Sequence, residues 1–157
     1  MDDIRNDPDY QGGEYTQQPR GVNAANQLLF MMTSAPLVQH RQAPTRDAAD
    51  SAIAAYLAAR ARTTDANDMV YQFDASREYD PSSHLAQITA PVLAINSADD
   101  LVNPPELGVM ERLMPKVKNG KFILLPITPQ TRGHGTHSLP AVWGNHLAEF
   151  LRALPER

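Results

Sequence analysis

The chain has 157 residues, 42% of them hydrophobic and 20% charged, which is the profile of a globular domain and not of a disordered segment. Its 14 Lys and Arg are scattered among 18 Asp and Glu for a net charge of -4, so no strong phosphate-facing field forms and nucleic acid is excluded as a partner. The absence of cysteine excludes disulfides, thiolate metal sites and a cysteine nucleophile.

No run approaches the roughly 20 consecutive apolar residues of a membrane span. The opening MDDIRNDPDY is acidic where a signal peptide is basic and then apolar, so neither membrane insertion nor export is encoded in these residues. The compartment stays open, with the cytoplasm as default. What remains is a small-molecule enzyme, a binding module, or part of one.

The first 20 residues carry Pro8, Gly12, Gly13 and Pro19 among polar neighbours and are expected to be loop. A helix is expected over about 22–32, where VNAANQLLFMM is apolar, with Pro36 discouraging its continuation. A second spans about 45–62: Thr45 can cap it, Asp47 and Asp50 lie near its positive end, and Arg60 and Arg62 near its negative end. Its apolar stripe is Ala49, Ile53, Tyr56 and Leu57. A third runs over about 65–77, with Met69 and Phe73 one turn apart, until Asp80-Pro81.

After Pro91 the pattern changes. Val92 to Ile95 form a short continuous apolar run, as in a strand buried on both faces. Pro104 and Pro105 suit the first turn of a helix with Leu107, Met110, Leu113 and Met114 at helical spacing, and Asn119-Gly120 suits a turn. A second buried strand follows at Phe122 to Leu125. A last helix carries Trp143, Leu147, Phe150, Leu151 and Leu154 at i, i+4, i+7, i+8 and i+11.

Strand, helix, strand, helix in this order gives an α/β fold with parallel strands joined by a right-handed crossover. The sequence thus divides into 1–63, loop and helices, and 64–157, carrying the β-α-β-α part. Two short apolar strands do not make a stable doubly covered sheet, so further strands are implied. Neither an internal repeat nor a low-complexity tract is present to supply them.

In parallel sheets reactive side chains gather beyond the carboxyl ends of strands. The loop after the first strand holds Asp99 and Asp100, and the loop after the second ends Arg132-Gly133-His134-Gly135-Thr136-His137. A carboxylate from one can fix the tautomer of an imidazole from the other and stabilise its cation while it acts as general base. Asp99 and Asp100 are the candidates for that acid, and His134 and His137 for that base.

Each has a plainer reading. The two acids could stabilise the start of the following helix, and His134 could simply brace its loop. His137 could cap the last helix, hold the loop, or replace His134 as the base. His134 and His137 also form an H-x-x-H pair, but no H-E-x-x-H, cysteine or carboxylate cluster accompanies them, so no metal or other cofactor is expected. His40 and His84 are isolated, and His146 reads as a packed or boundary residue. Leu28 to Met32 could line an acyl pocket, although helix packing is the default. Arg77 and Asp80 could bridge the two segments, although a solvated pair is the default.

Acid after one strand, His after the next and a closing helix is the order of the last two triad members in the α/β-hydrolase fold. Asp100-Leu101-Val102-Asn103-Pro104 resembles the acid loop of that superfamily, and Gly133-His134 its Gly-His turn. Gly12-Gly13-Glu14-Tyr15, Gln18-Pro19-Arg20-Gly21, Asp65-Ala66-Asn67 and Ile88-Thr89-Ala90-Pro91-Val92 extend the likeness over nearly the whole chain. Together they resemble the carboxyl-terminal half of homoserine O-acetyltransferase-like proteins, in which a helical lid precedes the last strands.

The resemblance implies that residues ~10 to 63 form that lid and that Asp100 and His134 belong to a Ser-Asp-His triad. It also implies that the amino-terminal sheet, the nucleophile elbow and the oxyanion donors lie outside these residues. Ser34, Ser51, Ser76, Ser82, Ser83, Ser97 and Ser138 all lack glycine two residues to either side, so none sits on a Gly-x-Ser-x-Gly turn. Gly135 follows His134 where the acetyltransferases tend to place an acid suited to a substrate ammonium, which favours acyl hydrolysis over transfer to an amino alcohol.

The expected partners are a small-molecule ester or acyl substrate and the absent half of the fold. A second copy of the chain is also admitted. The alternative function is that of a non-catalytic remnant or binding module.

Overall fold

Asp7-Pro8 starts structure where punctuation alone suggested loop. The computed structural model, which describes residues 1–155, places helix α1 at Asp2–Arg5 and a 3-10 helix at Pro8–Gly13. Asp7 caps the latter by accepting from the Asp9 N–H at 2.9 Å. The expectation of a wholly irregular opening is therefore corrected: Pro8 follows a capping residue and occupies the first turn, where its missing N–H costs nothing.

Helix α2 spans Gly21–Met32, and α3, Pro36–Gln42, again begins at a proline that opens a helix where it was expected only to end one. Helix α4, Arg46–Arg60, is capped as expected, Thr45 accepting from the Ala48 N–H at 3.2 Å. Helix α5, Ala66–Asp74, is capped by Asp65.

The chain forms two units: Met1–Met31 with Pro36–Tyr79, and Met32–Ala35 with the chain from Asp80 on. The first unit extends to Tyr79, and α5 packs within it. There Ala66, Met69 and Val70 of α5 form a buried cluster with Ile4 and Val22. Each large apolar member removed from water contributes about 1.5–3 kcal/mol.

Asp65 fastens the preceding loop to this cluster. Its carboxylate accepts from the Tyr15 hydroxyl at 2.7 Å, Gln18 Nε2 at 3.1 Å, and the N–H groups of Asn67 and Asp68. Asn67 in turn accepts from the Tyr10 hydroxyl and donates to the Gly13 carbonyl. The Tyr15 hydrogen bond first, then the Asp68 N–H, hold the Asp65 carboxyl below the ordinary carboxylate range against an opposing push from burial. A lowered folded-state pKa stabilises above the unfolded-state value and is lost as pH falls through the folded one. Asp65→Ala is therefore expected to cost about 1–2 kcal/mol near neutral pH in urea denaturation, with the gap narrowing in acid.

In the second unit, strand β1 spans Val92–Ser97, helix α6 Val109–Leu113, strand β2 Gly120–Leu125 and helix α7 Pro140–Arg152. Among the described residues the sheet has two strands, parallel and in register from Val92↔Gly120 to Ser97↔Leu125. Residues of the 104–111 stretch line one cavity with Ala94 and Phe122, Trp143 and Leu147 of α7 line another with Leu93, and Ile95 and Asn96 border both. Parallel strands alternating with helices are an α/β arrangement.

Two expectations are revised here. The apolar strands are not buried on both faces: Val92 to Asn96 are half-buried and Leu124 is exposed, since the few elements of this unit do not cover the sheet. The helix expected from Pro104 is broken into a 3-10 turn at Pro105–Leu107, α6, and a second 3-10 turn at Met114–Lys116. Gly108 adopts a left-handed φ of 60° between the first two, which ends helical continuation and leaves Leu107 exposed.

Candidate active site

Ser97 ends β1, and its carbonyl accepts from the Asp100 N–H at 3.1 Å, so the chain turns sharply and Asp100 points back under its own loop. Asp100 is only 4% exposed. Its Oδ1 accepts from the N–H groups of Val102 at 2.8 Å and Asn103 at 3.1 Å. Its Oδ2 lies 3.1 Å from Nδ1 of His134.

Burial pushes the Asp100 carboxyl upward. The His134 hydrogen bond, the two backbone N–H donors and the His134 charge together outweigh that push, and the carboxyl rests below its ordinary range. An ionised carboxylate can only accept, so Nδ1 of His134 carries the proton and Nε2 is left as the basic nitrogen. The His134 side chain is partly open to solvent, at 32% exposure, so Nε2 can meet a reactant.

The His loop is built for this presentation. Gly133 has a φ of 58°, and a Cβ there would stand 2.7 Å from the Ser34 carbonyl oxygen and 3.1 Å from that of Asp99. The Gly135 N–H donates to the Thr33 carbonyl, and the buried Thr136 hydroxyl accepts from the Arg132 N–H at 2.8 Å. His137 donates through Nδ1 to the His134 carbonyl, and the two imidazoles lie 5.0 Å apart. Trp143 Nε1 donates to the His137 carbonyl at 3.1 Å, anchoring the loop to α7.

The structure therefore brings Asp100 and His134 together and gives Asp99 and His137 other contacts. Asp99 accepts from the Ser97 hydroxyl and lies 3.0 Å from the Thr131 hydroxyl, so it does not stabilise a helix start. His137 is exposed, and among the described residues no carboxylate is hydrogen-bonded to it. Thr131 and Trp143 were not foreseen as site residues: Thr131 is a polar residue in a polar loop, and Trp143 was assigned to an apolar stripe. Together Leu93, Ile95, Asp100, His134, His137 and Trp143 help line a cavity of about 340 Å³.

The remaining candidates lie elsewhere. Leu28 and Met31 are exposed, and Phe30 packs on Tyr56 with ring centroids 5.0 Å apart. Arg77 pairs with Asp74, and Asp80 accepts from the Ser82 N–H, so these two do not bridge. His84 meets Gln87 Nε2, and His146 is half-buried on α7. Among the described residues no three His, Asp or Glu side chains converge on a metal position, and no helix is long and apolar enough to cross a membrane.

No protein-family model and no curated protein matches the sequence. Solved structures do match the fold. The homoserine O-acetyltransferase from Bacillus anthracis superposes with a TM-score of 0.76 at 22% identity, covering 96% of this chain and 46% of that one. Esterase E22 superposes with a TM-score of 0.74 at 20% identity, covering 95% of this chain and 47% of that one. At such identity the likeness is one of fold. This chain has the fold of the carboxyl-terminal part of an α/β-hydrolase and spans about half the length of the structures it matches.

Proposed function

We propose that this chain contributes the acid and the base of a Ser-Asp-His triad to an enzyme acting on ester-bound acyl groups, hydrolysis being favoured over transfer. The observation that carries the reading is the 3.1 Å contact between buried Asp100 and Nδ1 of His134, which leaves Nε2 free of that contact on a residue that lines a cavity. The esterase and acetyltransferase matches are compatible with both outcomes of acyl chemistry.

In this mechanism His134 Nε2 removes the proton from a serine hydroxyl as the oxygen attacks the acyl carbon. Asp100 holds the imidazole in the required tautomer and stabilises the cation formed. His134 then passes the proton to the departing alcohol. Water repeats the sequence on the acyl-serine, releasing acid, and Gly135 beside His134 offers no charge to hold an amino-alcohol acceptor instead.

The attacking serine and the oxyanion donors come from the rest of the fold, which is the partner this reading requires. The chain by itself is expected to give no turnover of short-chain activated esters such as p-nitrophenyl acetate. Fused to or co-expressed with a segment carrying the Gly-x-Ser-x-Gly strand-turn-helix, it is expected to hydrolyse them. A completed, folded protein without such activity would overturn the reading in favour of a binding role.

A further inference from the structure

The acid and the base stand on separate loops, so their 3.1 Å contact requires something that sets one loop against the other. Beside that contact a second side-chain hydrogen bond joins the same two loops. Asp99 precedes the acid directly and Thr131 precedes the base by three residues. Asp99 Oδ2 and Thr131 Oγ1 lie 3.0 Å apart.

Both partners are themselves held. Asp99 Oδ1 accepts from the Ser97 hydroxyl, and the buried Ser97 closes β1. Thr131 is 1% exposed, and its hydroxyl accepts from the Thr128 N–H at 3.1 Å while lying 3.0 Å from the Thr128 carbonyl. That hydroxyl has one proton and two oxygens in reach. The carboxylate is the stronger acceptor, so the proton goes to Asp99. A buried threonine braced inside its own turn and a carboxylate braced at the strand end form a rigid strut. The strut joins the same two loops as the Asp100–His134 contact.

We propose that Asp99 and Thr131 are positioning residues that set the register between the acid loop and the base loop, and thereby the tautomer of His134. This rests on the reading of Asp100 and His134 as a working pair, and it adds that the neighbouring acid acts through that pair without touching substrate.

The tautomer of neutral His134 tests this on the chain as it stands, with no turnover required. Long-range ¹H–¹⁵N correlation shows which ring nitrogen carries the proton. In water neutral histidine prefers the proton on Nε2, so Nδ1–H at His134 reports the carboxylate contact. The parent chain is expected to show Nδ1–H, and Asp100→Ala to lose it. Thr131→Val, which keeps the shape, and Asp99→Ala are each expected to shift His134 to Nε2–H, whereas Thr131→Ser keeps Nδ1–H.

Val117→Ala, at a buried residue that precedes β2, is expected to lower stability and leave the tautomer unchanged. Either Thr131→Val or Asp99→Ala suffices should the other not fold, since each removes one side of the same hydrogen bond. Retention of Nδ1–H in both, with its loss in Asp100→Ala, would overturn the positioning role and leave the pair standing. Nε2–H in the parent chain would instead overturn the pair itself.

Discussion

His134→Ala in the completed enzyme is expected to lower kcat by about a millionfold, and Asp100→Asn by about ten-thousandfold, with little change in KM. The two losses differ because the residues do different things. Without His134 nothing accepts the proton of the attacking hydroxyl. With asparagine at 100 the base remains, but an amide NH₂ can face Nδ1 and drive the ring to the opposite tautomer, which places a proton where the lone pair is needed. The loss falls on kcat because proton transfer belongs to the transition state and not to substrate binding. His137→Ala is expected to cost far less, since its Nδ1 is engaged with the His134 carbonyl and among the described residues no carboxylate is hydrogen-bonded to it. Steady-state hydrolysis of p-nitrophenyl acetate measures all three, and equal activity after His134→Ala would remove the assignment.

The pH dependence carries its own sign. Asp100 titrates below the usual carboxylate range, so it is ionised throughout the neutral region and the hydrogen bond to His134 is present there. Its contribution to stability is present above the carboxyl's unfolded-state pKa and is lost as pH falls through the folded-state one. Acid therefore weakens the pair from the Asp100 side.

Asp100 and His134 were legible in the sequence because strand order and loop position are one-dimensional facts. An apolar run at 92–95, a second at 122–125 and a helix after each place two loops at one sheet edge whatever the details. What was not legible is what depends on three-dimensional neighbours. Thr131 has no periodicity to betray its burial, and Asp99 reads as a helix-start acid until the Thr131 hydroxyl is seen beside it. The helix from Pro104 had the correct apolar spacing, yet Gly108 adopts a left-handed φ that spacing does not record.

The helical unit makes the same point from the other direction. Gly13, Tyr15, Gln18, Asp65 and Asn67 entered only as fragments of a resemblance, with no physical reason for their pairing. In the structure they are one hydrogen-bonded assembly spanning some fifty residues of chain, with Asp65 accepting from Tyr15 and Gln18 while Asn67 donates to Gly13. Contacts at such separation leave no local pattern. Helix α5 carries Asp65 at its cap and groups with the loop it fastens.

Gly133→Ala is the substitution expected to damage the site most without removing a functional group. Two costs add at one position. A φ of 58° is left-handed, which charges any residue with a Cβ about 1 kcal/mol or more. The new methyl would also stand 2.7 Å from the Ser34 carbonyl oxygen and 2.8 Å from its carbon, which are main-chain atoms with no rotamer to yield. Overpacking of that kind costs about 1–3 kcal/mol, so a total near 3 kcal/mol is expected in chemical denaturation. Relief must come from moving the His loop off residues 33–34, which would also break the Gly135 to Thr33 hydrogen bond and carry His134 away from Asp100. The variant is therefore expected to lose the Nδ1–H tautomer of His134 while still folding. In the completed enzyme its kcat should fall toward that of Asp100→Asn. A stable Gly133→Ala protein with the parent tautomer would show that the loop presents His134 without needing a left-handed glycine.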